Sequence, residues 1–259
     1  MNENEQLLSR AEDLHARAER GEITCTPFLT PREQRVLARA LPLSAEEVRF
    51  DGGYAAAERA RALFLPPYLA GADEALIAEC LADTRAECLI PLEIKGSGFR
   101  ELAHKDFLGA ILNLGIERDA IGDLCVTNGH TAVLFCDRVI ATFLQENLTR
   151  VANDAVHVQR TVLPPDFDGG RKFRPISDTV ASPRADSVVA ALAGISRERA
   201  QALFREGLVE IDYETAQKTD KPLCDGTVIT VRGKGKFIIR SLSEQTKKGR
   251  IRLRADQYL

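Results

Sequence analysis

Residues 182–212 read SPRADSVVAALAGISRERAQALFREGLVEID. The stretch holds two short helices in tandem. Ser182-Pro183 predicts the start of a helix over 184–193, with Val188, Val189 and Leu192 on its apolar face and Gly194 as its stop. Ser196 predicts the cap of a second helix over 197–206, ended by Gly207. Short strands are expected to follow at 208–211, 227–232, 236–239 and 250–254. The last, Arg250-Ile251-Arg252-Leu253-Arg254, alternates without exception. On a strand this turns Ile251 and Leu253 inward and sets the arginines outward about 7 Å apart.

Upstream, Leu163-Pro164-Pro165-Asp166-Phe167-Asp168-Gly169-Gly170 reads as the start of a linker. Before it, strands are predicted at 89–94, 123–127, 131–136 and 156–163, and helices at 102–112 and 138–149. Asn128-Gly129 joins the middle two strands as a hairpin. That order, β-α-β-β-α-β, is the split βαβ of ferredoxin-like folds and of RNA-recognition-motif (RRM) folds. Phe135 is the sole aromatic of the third strand, so no base-stacking role is assigned to this sheet. Nearer the N-terminus, Leu7, Leu8, Ala11, Leu14 and Ala18 recur at helical spacing over 3–20. Thr30-Pro31-Arg32-Glu33 is a capping box opening a helix over 31–40. A third helix is expected over 54–63, between Gly52-Gly53 and Pro66-Pro67.

The 259 residues suffice for two or three domains, and 44% apolar with 28% charged residues excludes collagen-like or wholly disordered chains. No apolar run is long enough for a membrane helix, and the N-terminus lacks a secretory layout, so a cytoplasmic protein is expected. The six cysteines and four histidines are scattered, without C-x-x-C or H-x-x-H spacing, so no metal site is expected. The net charge of −3 conceals an asymmetry. Residues 171–259 carry 18 Lys and Arg against 11 Asp and Glu, or +7, whereas residues 1–170 carry 17 against 27, or −10. A basic C-terminal third on an acidic body points to a nucleic-acid face.

The stretch 182–212 resembles the S4 domain, an RNA-binding module. The resemblance lies in Arg184-x-Asp186, Ser196-Arg197-x-x-Ala200 and Gly207-x-Val209, and later in Asp225-Gly226-x-Val228-Ile229-x-Val231. Asp212-Tyr213 stands where such domains often carry Asn-Gly. The segments FDGGYAAAERAR (50–61), ELAHKDFLGAILNLGIERDAIGDL (101–124), VRGKGKF (231–237) and TKKGRIRL (246–253) together resemble the YlmH family of bacterial RNA-binding proteins with a C-terminal S4 domain. The resemblance leaves out the first 45 or so residues and a segment near 72–87. It implies association with the large ribosomal subunit and rescue of stalled nascent chains; some family members are encoded beside cell-division genes.

The fold expected is α+β, with a helical N-terminal subdomain (1–70), an RRM-like α/β domain (71–163), a linker (164–181) and an S4-like domain with a basic tail (182–259). The expected RNA-binding residues are Arg184, Ser196, Arg197, Arg199, Lys218, Lys221, Arg232, Lys234, Lys236, Lys247, Lys248, Arg250 and Arg252. Arginine in the first turn of a helix opposes the helix dipole by about 0.3–1 kcal/mol, and a phosphate docked there reverses the sign. The glycines of Arg232-Gly233-Lys234-Gly235-Lys236 permit close backbone approach. Such contacts position RNA, and selectivity then comes from its folded shape.

Enzymatic motifs are absent. His104-Lys105-Asp106 resembles a kinase triplet, but Asn113 is too distant and no Asp-Phe-Gly follows. Gly96-Ser97-Gly98 is neither a dinucleotide nor a Walker loop. The expectation is therefore a non-catalytic protein with no cofactor, no small-molecule substrate and no membrane partner. It would dock on ribosomal RNA or tRNA of the large subunit. Two other readings are an RNA-modifying enzyme whose S4 domain delivers substrate, and an interaction protein of cell division.

Overall fold

The computed structural model describes residues 2–242, 246 and 249–259. The chain divides into two compact units, Met1–Gly170 and Arg171–Leu259.

The first unit runs α1 (Glu3–Ala18), β1 (Thr24–Cys25), α2 (Pro31–Ala40), β2 (Val48–Asp51), β3 (Arg61–Phe64), α3 (Glu74–Cys88), β4 (Ile90–Gly96), α4 (His104–Leu112), β5 (Ile121–Val126), β6 (Thr131–Cys136), α5 (Arg138–Asn147), β7 (Arg150–Val151) and β8 (Asp154–Arg160). Local chemistry sets the helix starts. Thr30 and Glu33 close a reciprocal capping box with Pro31 at the first helical position, and Asp137 Oδ1 accepts from Ile140 N at 2.8 Å to cap α5. The larger sheet has the order β5-β6-β4-β8-β7 and the smaller β1-β3-β2, with antiparallel pairing throughout the described strands.

The larger sheet is covered on both faces. Leu92, Ile94 and Leu134 pack under Phe107, Ile111 and Leu144 of α4 and α5. Val133 and Phe135 face the opposite way, into a cluster with Phe28, Leu63, Leu69, Ile77 and Leu81. Strand β6 is buried at every position, as a central strand covered on both sides must be. Residues 1–70 and 71–163, expected as separate domains, therefore share a core.

The helix expected over 54–63 does not form. Residues 54–60 are turns and loop, and Arg61–Phe64 is a strand buried at all four positions. The alanines of 55–57 favour helix, but tertiary contacts override that preference. Asp123 Oδ2 accepts from Tyr54 Oη at 2.7 Å and from Glu58 N at 2.8 Å, and its Oδ1 accepts from Arg59 N at 3.0 Å. The buried Arg59 guanidinium donates to the carbonyls of Phe28, Arg118 and Ile121. Gly53 has φ +91°, and a Cβ there would stand 2.5 Å from the Phe135 ring. Burial and the Asp123 carboxylate push the Tyr54 hydroxyl well above the ordinary phenol range.

The second unit comprises β9 (Phe173–Val180), α6 (Ala185–Ala193), α7 (Arg197–Arg205), β10 (Val209–Ile211), β11 (Glu214–Thr215), β12 (Val228–Val231), β13 (Gly235–Ser241) and β14 (Ile251–Tyr258). Its sheet has the order β11-β10-β12-β13-β14-β9. Val188, Val189, Leu203 and Phe204 of the helices pack on Val209, Ile229, Phe237, Ile239 and Leu253 of one sheet face.

Three expectations are corrected here. The linker over 164–181 is not a linker. Its first part packs Phe167 on Tyr54 at 5.2 Å between ring centroids, and its second part is β9, paired with β14 along eight residues. Ser182 does not cap α6; Arg184 occupies that position, and the N–H groups of Ala185 and Asp186 donate to the carbonyls of Lys221 and Thr219, both at 2.9 Å. Asp212 and Tyr213 form the β10–β11 turn with φ +54° and +67°, the left-handed pair for which Asn-Gly is the usual choice.

Replacing Asp123 by alanine should destabilise the chain by about 3 kcal/mol, because one buried hydroxyl and two N–H groups lose their acceptor. Urea unfolding of the full chain would measure the loss.

Candidate RNA-binding surface

The N-terminal ends of α6 and α7 meet at one carboxylate. Asp186 is wholly buried and accepts from Arg197 Nε at 3.0 Å, Gln201 Nε2 at 2.9 Å and Arg184 Nε at 3.3 Å. Burial alone would raise its pKa, but hydrogen bonds from Gln201, Arg184 and Arg197 outweigh that and lower it. One negative charge holds two positive ones, and the Arg184 and Arg197 side chains stay 41% and 50% exposed. The cluster keeps a net positive charge and guanidinium edges open to solvent.

This corrects the argument from the helix dipole. The arginines are placed by Asp186, and the first N–H groups of α6 already donate to the 219–221 loop, so that terminus is not an open anion site. Ser196 does cap α7, accepting from Arg199 N at 3.2 Å. Arg199 itself turns along the helix to Glu206, Nη1 to Oε1 at 2.9 Å. That pair is exposed and of little energetic weight.

Ser196, Arg197 and Arg250 come together. They line an open groove of about 440 Å³ between the α6–α7 turn and the paired strands β9 and β14, with Thr179, Val180 and Gly194 among its walls. Arg250 Nη2 donates to Thr179 O at 2.6 Å. From there β14 carries Arg252 and Arg254 on its exposed side, while Leu253 and Ala255 are buried. The alternation expected over 250–254 holds from Ile251 on.

Lys218 and Lys221 are exposed on the loop that covers the start of α6. Arg232 and Lys234 are exposed on the β12–β13 turn, and Lys236 lies partly buried beside them. This second basic group sits at the other end of β14, about 20 Å from Arg252 along the strand. Lys247 and Lys248 lie outside the described residues.

Reading from sequence alone missed Asp186 as the hub, Gln201 as its third partner, and the aromatic residues Phe173, Tyr213 and Tyr258 near Lys236. The period-two pattern of 251–258 would have put Tyr258 on the face of Arg252 and Arg254. The contacts of Asp186 span 15 residues and leave no local signal. No group of three or more His, Cys, Asp or Glu side chains among the described residues is placed to hold a metal ion. No helix among them is long and apolar enough to cross a membrane.

The family model described as "Putative RNA-binding domain in YlmH" matches residues 90–164, the stretch from β4 to just beyond β8. The "Ribosome-associated protein quality control protein P2" of Bacillus subtilis (strain 168) is 27% identical over 229 residues, covering 88% of this chain and 84% of its own. The chain is YlmH-like. A solved structure, the "Cell division protein ylmH from Streptococcus pneumoniae", is similar over 62% of this chain and 93% of its own, with 20% identity and a TM-score of 0.48. The YlmH-like chain thus carries an RNA-binding-domain match in its acidic first unit, and its basic residues gather in the second.

Asp186, with its lowered pKa, stabilises the second unit above the unfolded carboxylate value near 4; that contribution is lost as pH falls through the still lower folded value. Asp186→Asn should cost about 1–3 kcal/mol at neutral pH. It should also flatten the loss of stability between pH 5 and pH 3, followed by thermal unfolding across that range.

Proposed function

We propose that this YlmH-like chain is a non-catalytic RNA-binding protein whose second unit is an S4-like module. The module docks on structured ribosomal RNA or tRNA at the large ribosomal subunit, in the handling of stalled nascent chains. The observation that carries the reading is the groove in which Arg197 and Arg250 face one opening between the α6–α7 turn and the β9–β14 pair. Both guanidiniums are held in place, one by Asp186 and one by the Thr179 carbonyl, so a phosphate meets preformed donors. The charge of +7 over residues 171–259 supplies the long-range attraction.

The first unit supports the same division of labour. Its element order fits an RRM-like split βαβ domain, but Phe135 on β6 is fully buried and stacked on Tyr54 at 5.1 Å. The sheet face that would stack bases is closed, so RNA contact by that unit falls to its loops and edges. The name of the Bacillus subtilis relative, a ribosome-associated quality control protein, supports a ribosomal site for this chain as well.

The test is the salt dependence of binding to purified large subunits and to a blunt RNA hairpin. Arg197→Gln keeps a donor for Asp186, and Arg250→Ala removes an exposed guanidinium. Together they should weaken binding and lower the logarithmic salt slope by roughly 0.7 per lost phosphate contact. Wild-type affinity and slope in the double variant would overturn the reading.

A further inference from the structure

The face of the second unit's sheet that turns away from α6 and α7 carries a group of side chains that neither the core nor the groove explains. Phe237, Ile239, Leu253 and Ala255 point to the helices and are buried. Their neighbours in the chain point the other way. Phe237 pairs with Gln257, so Lys236 and Tyr258 share the outer face, and Tyr258 pairs in turn with Phe173. Lys236 Nζ lies 4.7 Å from the Tyr258 ring centroid and 4.9 Å from that of Tyr213. Tyr258 and Phe173 meet edge to face at 5.0 Å, and Arg240 Cζ lies 5.4 Å from the Phe173 centroid.

Three rings and two cations thus form one continuous, partly exposed surface. Tyr213 reaches it from a left-handed backbone position, which costs a non-glycine residue about 1–2 kcal/mol. Strain of that kind is kept where the side chain is used. Along β14 the same face continues into the exposed Arg252 and Arg254.

We propose that this face is a stacking platform for unpaired RNA nucleotides, separate from the groove that docks folded RNA. The proposal rests on the RNA-binding reading above and adds a second contact to it. Aromatic rings and guanidinium planes accept any base, and Arg252 and Arg254 meet the phosphates that follow. An acidic peptide would use the charges but has no need of three ring faces.

The experiment uses the full chain and two probes, a blunt RNA hairpin and the same hairpin with a five-adenosine single-stranded tail. Fluorescence anisotropy should show the wild type gaining about tenfold in affinity from the tail. Tyr213→Gly, which suits the turn backbone and so preserves folding, and Tyr258→Leu should each remove most of that gain while leaving blunt-hairpin affinity unchanged. Blunt-hairpin binding without any tail gain in the wild type, or a gain that survives in both variants, would overturn the platform alone. A wild type that binds neither probe would overturn the platform and the docking reading together. Displacement of the tail by a poly-glutamate peptide that binds the ring variants more weakly than the wild type would overturn the platform in favour of an acidic protein partner.

Discussion

A carboxylate sealed from water needs its charge answered, and in the second unit Asp186 is answered by two guanidiniums and an amide. That requirement ties the start of α6 to the first two turns of α7. It also fixes where Arg197 stands, because a guanidinium engaged through Nε cannot swing freely. The carboxylate orders the cationic site while cancelling only part of its charge. Phosphate recognition gains from such an arrangement, since long flexible arginines otherwise lose conformational entropy on binding.

The first unit obeys a different constraint. Its larger sheet is sandwiched between helices on one face and the β1–β3 layer on the other, so its inventory of aromatic residues is spent on packing. Arg59 and Arg61 are buried in that layer and donate to main-chain carbonyls, an unusual use of arginine in a chain with an RNA-binding-domain match. Basic residues inside are therefore structural here, and those on the second unit's surface are left for recognition.

Much of this was legible in the residues themselves. Thr30 with Glu33 and Asn128-Gly129 act through neighbours in the chain and announced their elements. The strand alternation from Ile251 to Arg254 did the same. The failures share a cause. The stretch 54–63 reads as helix because its alanines are local, whereas the Asp123 carboxylate that unwinds it comes from more than sixty residues away. Phe173–Val180 follows a proline- and glycine-rich run and shows no clean alternation, and only its partner β14 makes it a strand. Of the binding residues, the chain names the cations but not their pairings: Arg199 goes to Glu206, while Arg250 meets Arg197 across a groove built from three elements.

The pairing of β9 with β14 has a consequence in time. Val180 pairs with Ile251, about seventy residues further along the chain. During synthesis β9 emerges well before the strand that will neighbour it, and both helices and the inner strands are made in the interval. The unit is thus assembled from its middle outward and fastened last by its two flanking segments, a late and non-local closure of the kind that slows folding. Until then β9 offers a bare row of amides and carbonyls to whatever else is nearby.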